Sequence, residues 1–273
     1  KVYLDLTHKD PRELERKLGG ILEIYEKFVG IDPKYKPMEI FPAVHYSMGG
    51  LWCDFNHQTN IPGLYVGGEA DYQYHGANRL GANSLLSCIF AGMVIGPNVV
   101  TYIKNQGKAQ SDIPESVFEQ HRRIVEDDLN AIAGMSGKEN GFKMWKEMGE
   151  MMTKNVTIVR YNNALQETDN KLQEMLERWK NIDVSDTNKT CNTTILFMRQ
   201  FRDMLHLARA ITLGALARNE SRGAHYKPDF PNRDDENWLK TTKARWTPDR
   251  PVLEYEEVDT SLIKPRPRKY ASV

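Results

Sequence analysis

The chain has 273 residues, 40% of them hydrophobic and 27% charged, which supports at least one sizeable core and leaves room for two domains. Lysine plus arginine equals aspartate plus glutamate, 37 against 37, so no global field draws in nucleic acid or an anionic membrane surface, and an acidic ligand must be held locally. The three cysteines, Cys53, Cys88 and Cys191, lie far apart without a C-x-x-C pair, which argues against zinc, an iron–sulfur cluster or a disulfide framework, and for buried inert thiols in a reducing cytoplasm.

The chain opens Lys1-Val2-Tyr3-Leu4-Asp5, with neither an initiator methionine nor a signal-peptide layout, and reads as mid-strand in something longer. Leu14, Leu18, Ile21, Leu22 and Tyr25 recur at helical spacing and predict a helix over 11–29 after Pro11, followed by a proline-rich connector from Gly30 to Pro42. From Phe41 to Gln106 glycine is dense and charge sparse. Within this stretch, Gly63-Leu64-Tyr65-Val66-Gly67-Gly68 predicts a buried strand closed by a tight turn. Ser84 to Ile103 is almost long and apolar enough to span a bilayer, but Gly92, Gly96, Pro97 and Asn98 interrupt it, and a helix buried on all sides is expected.

From Ile113 to Asn219 apolar residues fall three or four apart, predicting helices near 115–134, 139–180 with a break, and 194–218, a three- or four-helix bundle. Met144, Met148, Met151 and Met152 read as core filling. The last fifty residues hold a strand-like run, Val252 to Val258. They end in a basic tail, Lys264-Pro265-Arg266-Pro267-Arg268-Lys269, expected to be solvated.

The chemistry concentrates at His75-Gly76-Ala77-Asn78-Arg79-Leu80-Gly81-Ala82-Asn83-Ser84-Leu85-Leu86. Small residues here let backbone approach a ligand closely. Asn83 or Ser84 suits an N-cap, which would aim first-turn N–H groups and the positive dipole end at an electron-rich edge. Arg79 has no acidic neighbour in sequence and can grip a carboxylate through two parallel bonds; a structural salt bridge is the alternative. His45, in His45-Tyr46-Ser47-Met48-Gly49-Gly50, reads on its own as a satisfied core histidine. Glu69, after Gly67-Gly68, stands where doubly wound folds present ligand-binding groups, although a turn acid would look the same.

Together these segments resemble the flavoprotein subunits of succinate dehydrogenase and fumarate reductase, with motifs H-Y-x-M-G-G, then G-E, then H-G-A-N-R-L-G-x-N-S-L in that order. Glu220-Ser221-Arg222-Gly223-Ala224-His225, Asp229-Phe230-Pro231 and Arg233-Asp234-Asp235-Glu236-Asn237-Trp238 extend the match, and the texture is of the Gram-positive type. The resemblance implies an α+β and α/β multidomain chain: the end of a capping domain over 1–40, the C-terminal part of a Rossmann-like FAD-binding domain over 41–106, a helical bundle over 107–219 and a small α+β segment over 220–273.

It also implies that His45 and Arg79 hold substrate carboxylates of succinate or fumarate. Glu69 would meet the ribityl chain of FAD, and Ser84 and Leu85 the isoalloxazine ring. Tyr46, Gly49, Gly50, His75, Asn78 and Asn83 would support them. A helix start aimed at flavin N1 and O2 favours the reduced, more negative ring. No metal site, and no catalytic residue of the chain's own, is expected. The proton-transferring arginine, the flavin-linking histidine and the ADP-binding G-x-G-x-x-G find no match here.

Partners implied are an iron–sulfur subunit and, indirectly, a membrane-anchor cytochrome b subunit. They would place the protein peripherally on the inner face of the plasma membrane. The alternatives are an L-aspartate oxidase, which shares H-G-A-N-R-L, and a helical interaction module without chemistry.

Overall fold

The computed structural model describes residues 2–266 other than Pro42, Lys108 and Lys189. They fall into two units, Lys1–Ser47 and Met48–Val273. In the first, the Asp10 carboxylate accepts from the Arg12 N–H at 2.9 Å and Pro11 takes the first helical position, where a missing N–H is harmless. Helix α1 (Pro11–Val29) therefore starts where expected. Gly30 ends it at φ +73°, donating to the Glu26 carbonyl. The helix buries Leu14 and Leu22 and leaves Ile21 exposed. Strand β1 (Val2–Leu4) pairs antiparallel with β2 (Met38–Ile40), so the expected connector carries a strand.

The second unit begins with a loop-rich stretch to Ala82. The buried strand expected at 63–68 does not form. Tyr65 makes one bridge to Gln58, the Val66 N–H donates to the His57 carbonyl at 3.0 Å, and Gly68–Ala70 closes into a 3-10 turn. Three glycines in six residues leave too little side-chain surface to hold a strand in a sheet.

Helix α2 (Asn83–Gln106) runs through Gly92, Gly96 and Pro97, and among the described residues it alone is long and apolar enough to cross a membrane. Only Ser87 and Ala91 are buried. The expectation of burial on every side is wrong: Leu85, Leu86, Ile89 and Met93 are all more than 60% exposed.

The bundle consists of α3 (Glu115–Ala133), α4 (Gly141–Met152), α5 (Asn162–Trp179) and α6 (Thr193–Ala217). The expected break in the 139–180 segment is a π turn, Thr153–Thr157, followed by non-helical chain to Tyr161. Met144 and Met148 join Ile132, Leu172, Met175 and Phe201 in the core, with Met151 and Met152 packed against it, as core filling requires. Polar fasteners cross the layers: Arg202 grips Asp128 of α3 through two bonds, and buried Arg209 pairs with buried Asp169 at 2.8 Å.

After α6 come a one-turn helix α7 (Asp235–Trp238) and an antiparallel hairpin of β3 (Lys240–Arg245) and β4 (Val252–Glu257). The hairpin reaches back to the loop-rich stretch, where the Trp52 indole donates to Glu256 at 2.9 Å. Lys264 to Arg266 are exposed, and the remainder of the basic tail lies outside the described residues.

Candidate functional site

The start of α2 organises the site. Ala82 precedes the helix at φ +65°, a left-handed conformation that disfavours any residue with a Cβ. No side chain caps this terminus, so the capping role expected of Asn83 or Ser84 is not played. The left-handed turn at Ala82 sets the chain direction instead, and the first-turn N–H groups keep their dipole end without a side-chain acceptor.

Glycines then draw the rest of the loop against the helix. A Cβ on Gly67 would lie 2.8 Å from the Ala91 Cβ and 2.9 Å from the Ile95 Cδ1, and one on Gly68, itself at φ +74°, 3.0 Å from the Cys88 sulfur. Gly50 packs as tightly on the 3-10 turn: its Cβ would fall 2.2 Å from the Ala70 carbonyl oxygen. The Leu51 N–H donates to that same oxygen at 2.8 Å. Only residues without a side chain allow this stacking.

The structure thereby packs Gly50 on the Glu69 turn and seats Gly67 and Gly68 against Cys88, Ala91 and Ile95 of α2, beyond its first turn. Glu69 is exposed on the turn and Leu85 is exposed on the first turn of α2. His75 is partly buried and sits 3.3 Å from the Ser87 hydroxyl, which donates to the Ser84 carbonyl at 2.7 Å. Asn83, Ser84 and Arg79 are partly buried, and one Arg79 Nη donates to the Leu80 carbonyl at 3.2 Å. Asn78 is exposed, its N–H turned to the His75 carbonyl at 3.1 Å. Gly49 takes φ +116°. His45 and Tyr46 belong to the first unit; His45 is exposed there, so it is not a core histidine, and Tyr46 is partly buried.

Two groups of residues escaped the sequence reading. The first is a buried cluster beneath the loop. The His57 Nδ1 is 2.8 Å from the Val66 carbonyl and so carries the proton, leaving Nε2 to accept from the Tyr74 hydroxyl. Asp71 lies alongside, with one oxygen 3.7 Å from His57 Nδ1 and no hydrogen bond to that oxygen among the described residues. Burial holds the Asp71 carboxyl above its usual range, pushes the Tyr74 phenol up to about 12 and the Cys53 thiol up to about 11. Cys53 is thus a buried, inert thiol as expected. Cys88 and Cys191 depart from that expectation, since both are exposed.

The second group is the turn 222–225, whose Ala224 N–H donates to the Ala77 carbonyl at 2.8 Å. Its motif had been matched without a role.

Residues 1–85 match the family model for an FAD binding domain, and residues 145–270 match that for the fumarate reductase flavoprotein C-terminus. The succinate dehydrogenase flavoprotein subunit of Bacillus subtilis is 57% identical over 272 residues, covering 99% of this chain and 46% of that protein. The chain belongs to the succinate dehydrogenase and fumarate reductase flavoprotein family.

The fumarate reductase flavoprotein subunit of Escherichia coli is 36% identical over 273 residues, 98% of this chain and 45% of its own length. Among solved structures, an E. coli quinol fumarate reductase superposes with a TM-score of 0.91 at 35% identity, over 99% of this chain and 46% of that one. A quinol–fumarate reductase holding menaquinol gives 0.89 at 35% identity, over 97% and 46%. The chain therefore spans about half the length of the curated relatives it matches. Its fold is that of these flavoproteins: part of an FAD-binding domain joined to a helical domain.

Proposed function

We propose that this chain forms the C-terminal half of the flavoprotein subunit of a succinate dehydrogenase or fumarate reductase, which interconverts succinate and fumarate on FAD. The observation that carries the reading is the packing of Gly50 on the Glu69 turn and of Gly67 and Gly68 on α2, together with a helix start that has no side-chain cap. Glycines there let the backbone of the turn pack directly on the neighbouring chain and on α2, and the helix end offers N–H donors without a side-chain cap.

These residues fit a flavin. Glu69 would accept from ribityl hydroxyls, and Ser84 and Leu85 at the helix start would meet the ring, where the dipole end favours negative charge. When bound, FAD supplies the hydride acceptor. Arg79 and His45 would each hold a substrate carboxylate, Arg79 through paired N–H groups, so that the methylene carbons are oriented for transfer. Tyr46, Gly49, Gly50, His75, Asn78 and Asn83 would shape the surrounding wall. The same groups serve both directions, and the potential of the electron acceptor decides between them.

The domain assignment follows the same reading: the end of a capping domain over 1–40, FAD-binding residues over 41–106, the bundle over 107–219 and the C-terminal segment over 220–273. The proton-transferring arginine and the flavin-linking histidine belong to the other half of such a subunit. Electrons would leave to an iron–sulfur subunit and then, through a membrane-anchor cytochrome b subunit, to quinone, with the protein peripheral on the cytoplasmic face of the membrane.

The test compares reductants on the complete subunit with an artificial electron acceptor. Succinate should bleach the flavin and drive acceptor reduction, whereas L-aspartate should do neither. Turnover with L-aspartate alone would overturn the reading.

A further inference from the structure

We propose that the turn Arg222–His225 is a positioning wedge that sets where Arg79 stands; this rests on the reading of Arg79 as a carboxylate clamp. The turn is closed on itself, the Arg222 N–H donating to the His225 carbonyl at 2.8 Å and the His225 N–H returning to the Arg222 carbonyl at 3.0 Å. Both of its shoulders are tied down.

On one side the Arg222 guanidinium contacts both oxygens of fully buried Glu220, at 2.8 and 2.9 Å, and Asp235 at 2.7 Å. Glu220 also accepts from Arg218 at 2.7 Å and from the Asp234 N–H at 2.9 Å. On the other side the His225 Nδ1 accepts from Arg160 at 2.5 Å, and its Nε2 donates to the Arg218 carbonyl at 2.9 Å. Buried Lys227, two residues on, donates to the Leu216 carbonyl at the end of α6 and to the side-chain oxygens of Asn162 and Asn219, at 2.7–3.1 Å. The turn thus moves only as the bundle moves.

At its tip stands backbone against backbone. The Ala224 N–H donates to the Ala77 carbonyl at 2.8 Å. Gly223 is at φ +58°, and a Cβ there would lie 2.3 Å from the Ala77 oxygen and 2.6 Å from its carbonyl carbon. Neither atom is the end of a flexible side chain, so a methyl group must push the Ala77 peptide itself. Ala77 is two residues from Arg79, and a displacement there carries the guanidinium with it. A misplacement of about 1 Å can cost on the order of a hundredfold in rate where geometry sets the reaction.

None of Glu220, Arg222 or Gly223 needs to touch the ligand. Their role is to position Arg79, which separates this segment from the bundle's other polar fasteners.

Two variants of the complete subunit test the wedge, Gly223→Ala, which pushes on Ala77, and Arg222→Lys, which slackens the anchor without adding bulk. Each should raise the succinate KM by about tenfold or more, weaken inhibition by a non-reacting dicarboxylate to the same extent, and keep the flavin content of the parent in a folded protein whose melting temperature falls by only a few degrees. If Arg79→Lys raises the KM while both variants match the parent, the wedge is wrong and the clamp stands. If Arg79→Lys itself leaves the KM unchanged, the clamp reading has failed first and the wedge goes with it. If both variants lose flavin and folded structure together, the turn is a stability element and the positioning role is overturned.

Discussion

Arg79 draws its importance from what surrounds it. From Tyr72 to Ile103 the sequence holds no carboxylate, and the residue leads into a helix start with no side-chain cap. A guanidinium presents two parallel donors to a carboxylate, whereas an ammonium is a point charge without that fork. Arg79→Lys in the complete subunit should therefore raise the succinate KM and lower kcat. Losing one charge-assisted hydrogen bond, roughly 1.5–3 kcal/mol, corresponds to about tenfold or more. Steady-state kinetics at equal flavin content make the comparison, and unchanged constants would remove Arg79 from the site. The candidate residues around Arg79 were legible because a glycine-rich, charge-poor run with one arginine is chemically unusual. The Asp71–His57–Tyr74 cluster and the contact of Ala224 on Ala77 were not. They depend on which backbone atoms meet across the fold, and neither residue type nor local spacing encodes that.

Helices were read from periodicity with small errors at their ends because packing of one face enforces the pattern, as with Met144, Met148, Leu172 and Phe201. The failures came where backbone geometry decides: the left-handed Ala82 in place of a capping side chain, and the bridge and 3-10 turn in place of a strand near Gly67. The segment after α6 carries a testable charge balance. Burial, reinforced by Arg160, Lys227 and Arg218, lowers the His225 pKa from 6.5 to about 4. Between those values the unfolded chain binds a proton that the folded chain refuses, so stability is full above pH 6.5 and falls as pH drops towards 4. Glu220 acts lower on the scale. Burial raises its pKa, but hydrogen bonds from Arg222, the Asp234 N–H and Arg218 outweigh that and leave it below 4.5, so its contribution is lost only under stronger acid. Thermal melts of the chain should show the midpoint falling from pH 6.5 downward, and His225→Asn should flatten that window while leaving the steeper loss below pH 4.5. An unaltered slope in the variant would assign the proton to another group.

At the scale of the molecule, α2 presents a problem that its own sequence does not resolve. Leu85, Leu86, Ile89, Phe90 and Met93 are exposed together on a helix whose composition belongs in an interior. Contiguous apolar surface of this kind marks an interface in a soluble protein. The chain spans about half the length of the curated relatives it matches, and the function proposed above leads to the expectation that the rest of such a subunit covers this face. Two measurements on the 273-residue chain follow. It should bind a hydrophobic dye strongly and self-associate, and the complete subunit should do neither, because the same face is then covered. It should also fail to oxidise succinate with an artificial acceptor, since the residues proposed here hold and orient a dicarboxylate but include no proton-transferring group of their own. Turnover by the chain alone would show that these residues carry the whole reaction, and weak dye binding would show that the face of α2 is closed without a second half.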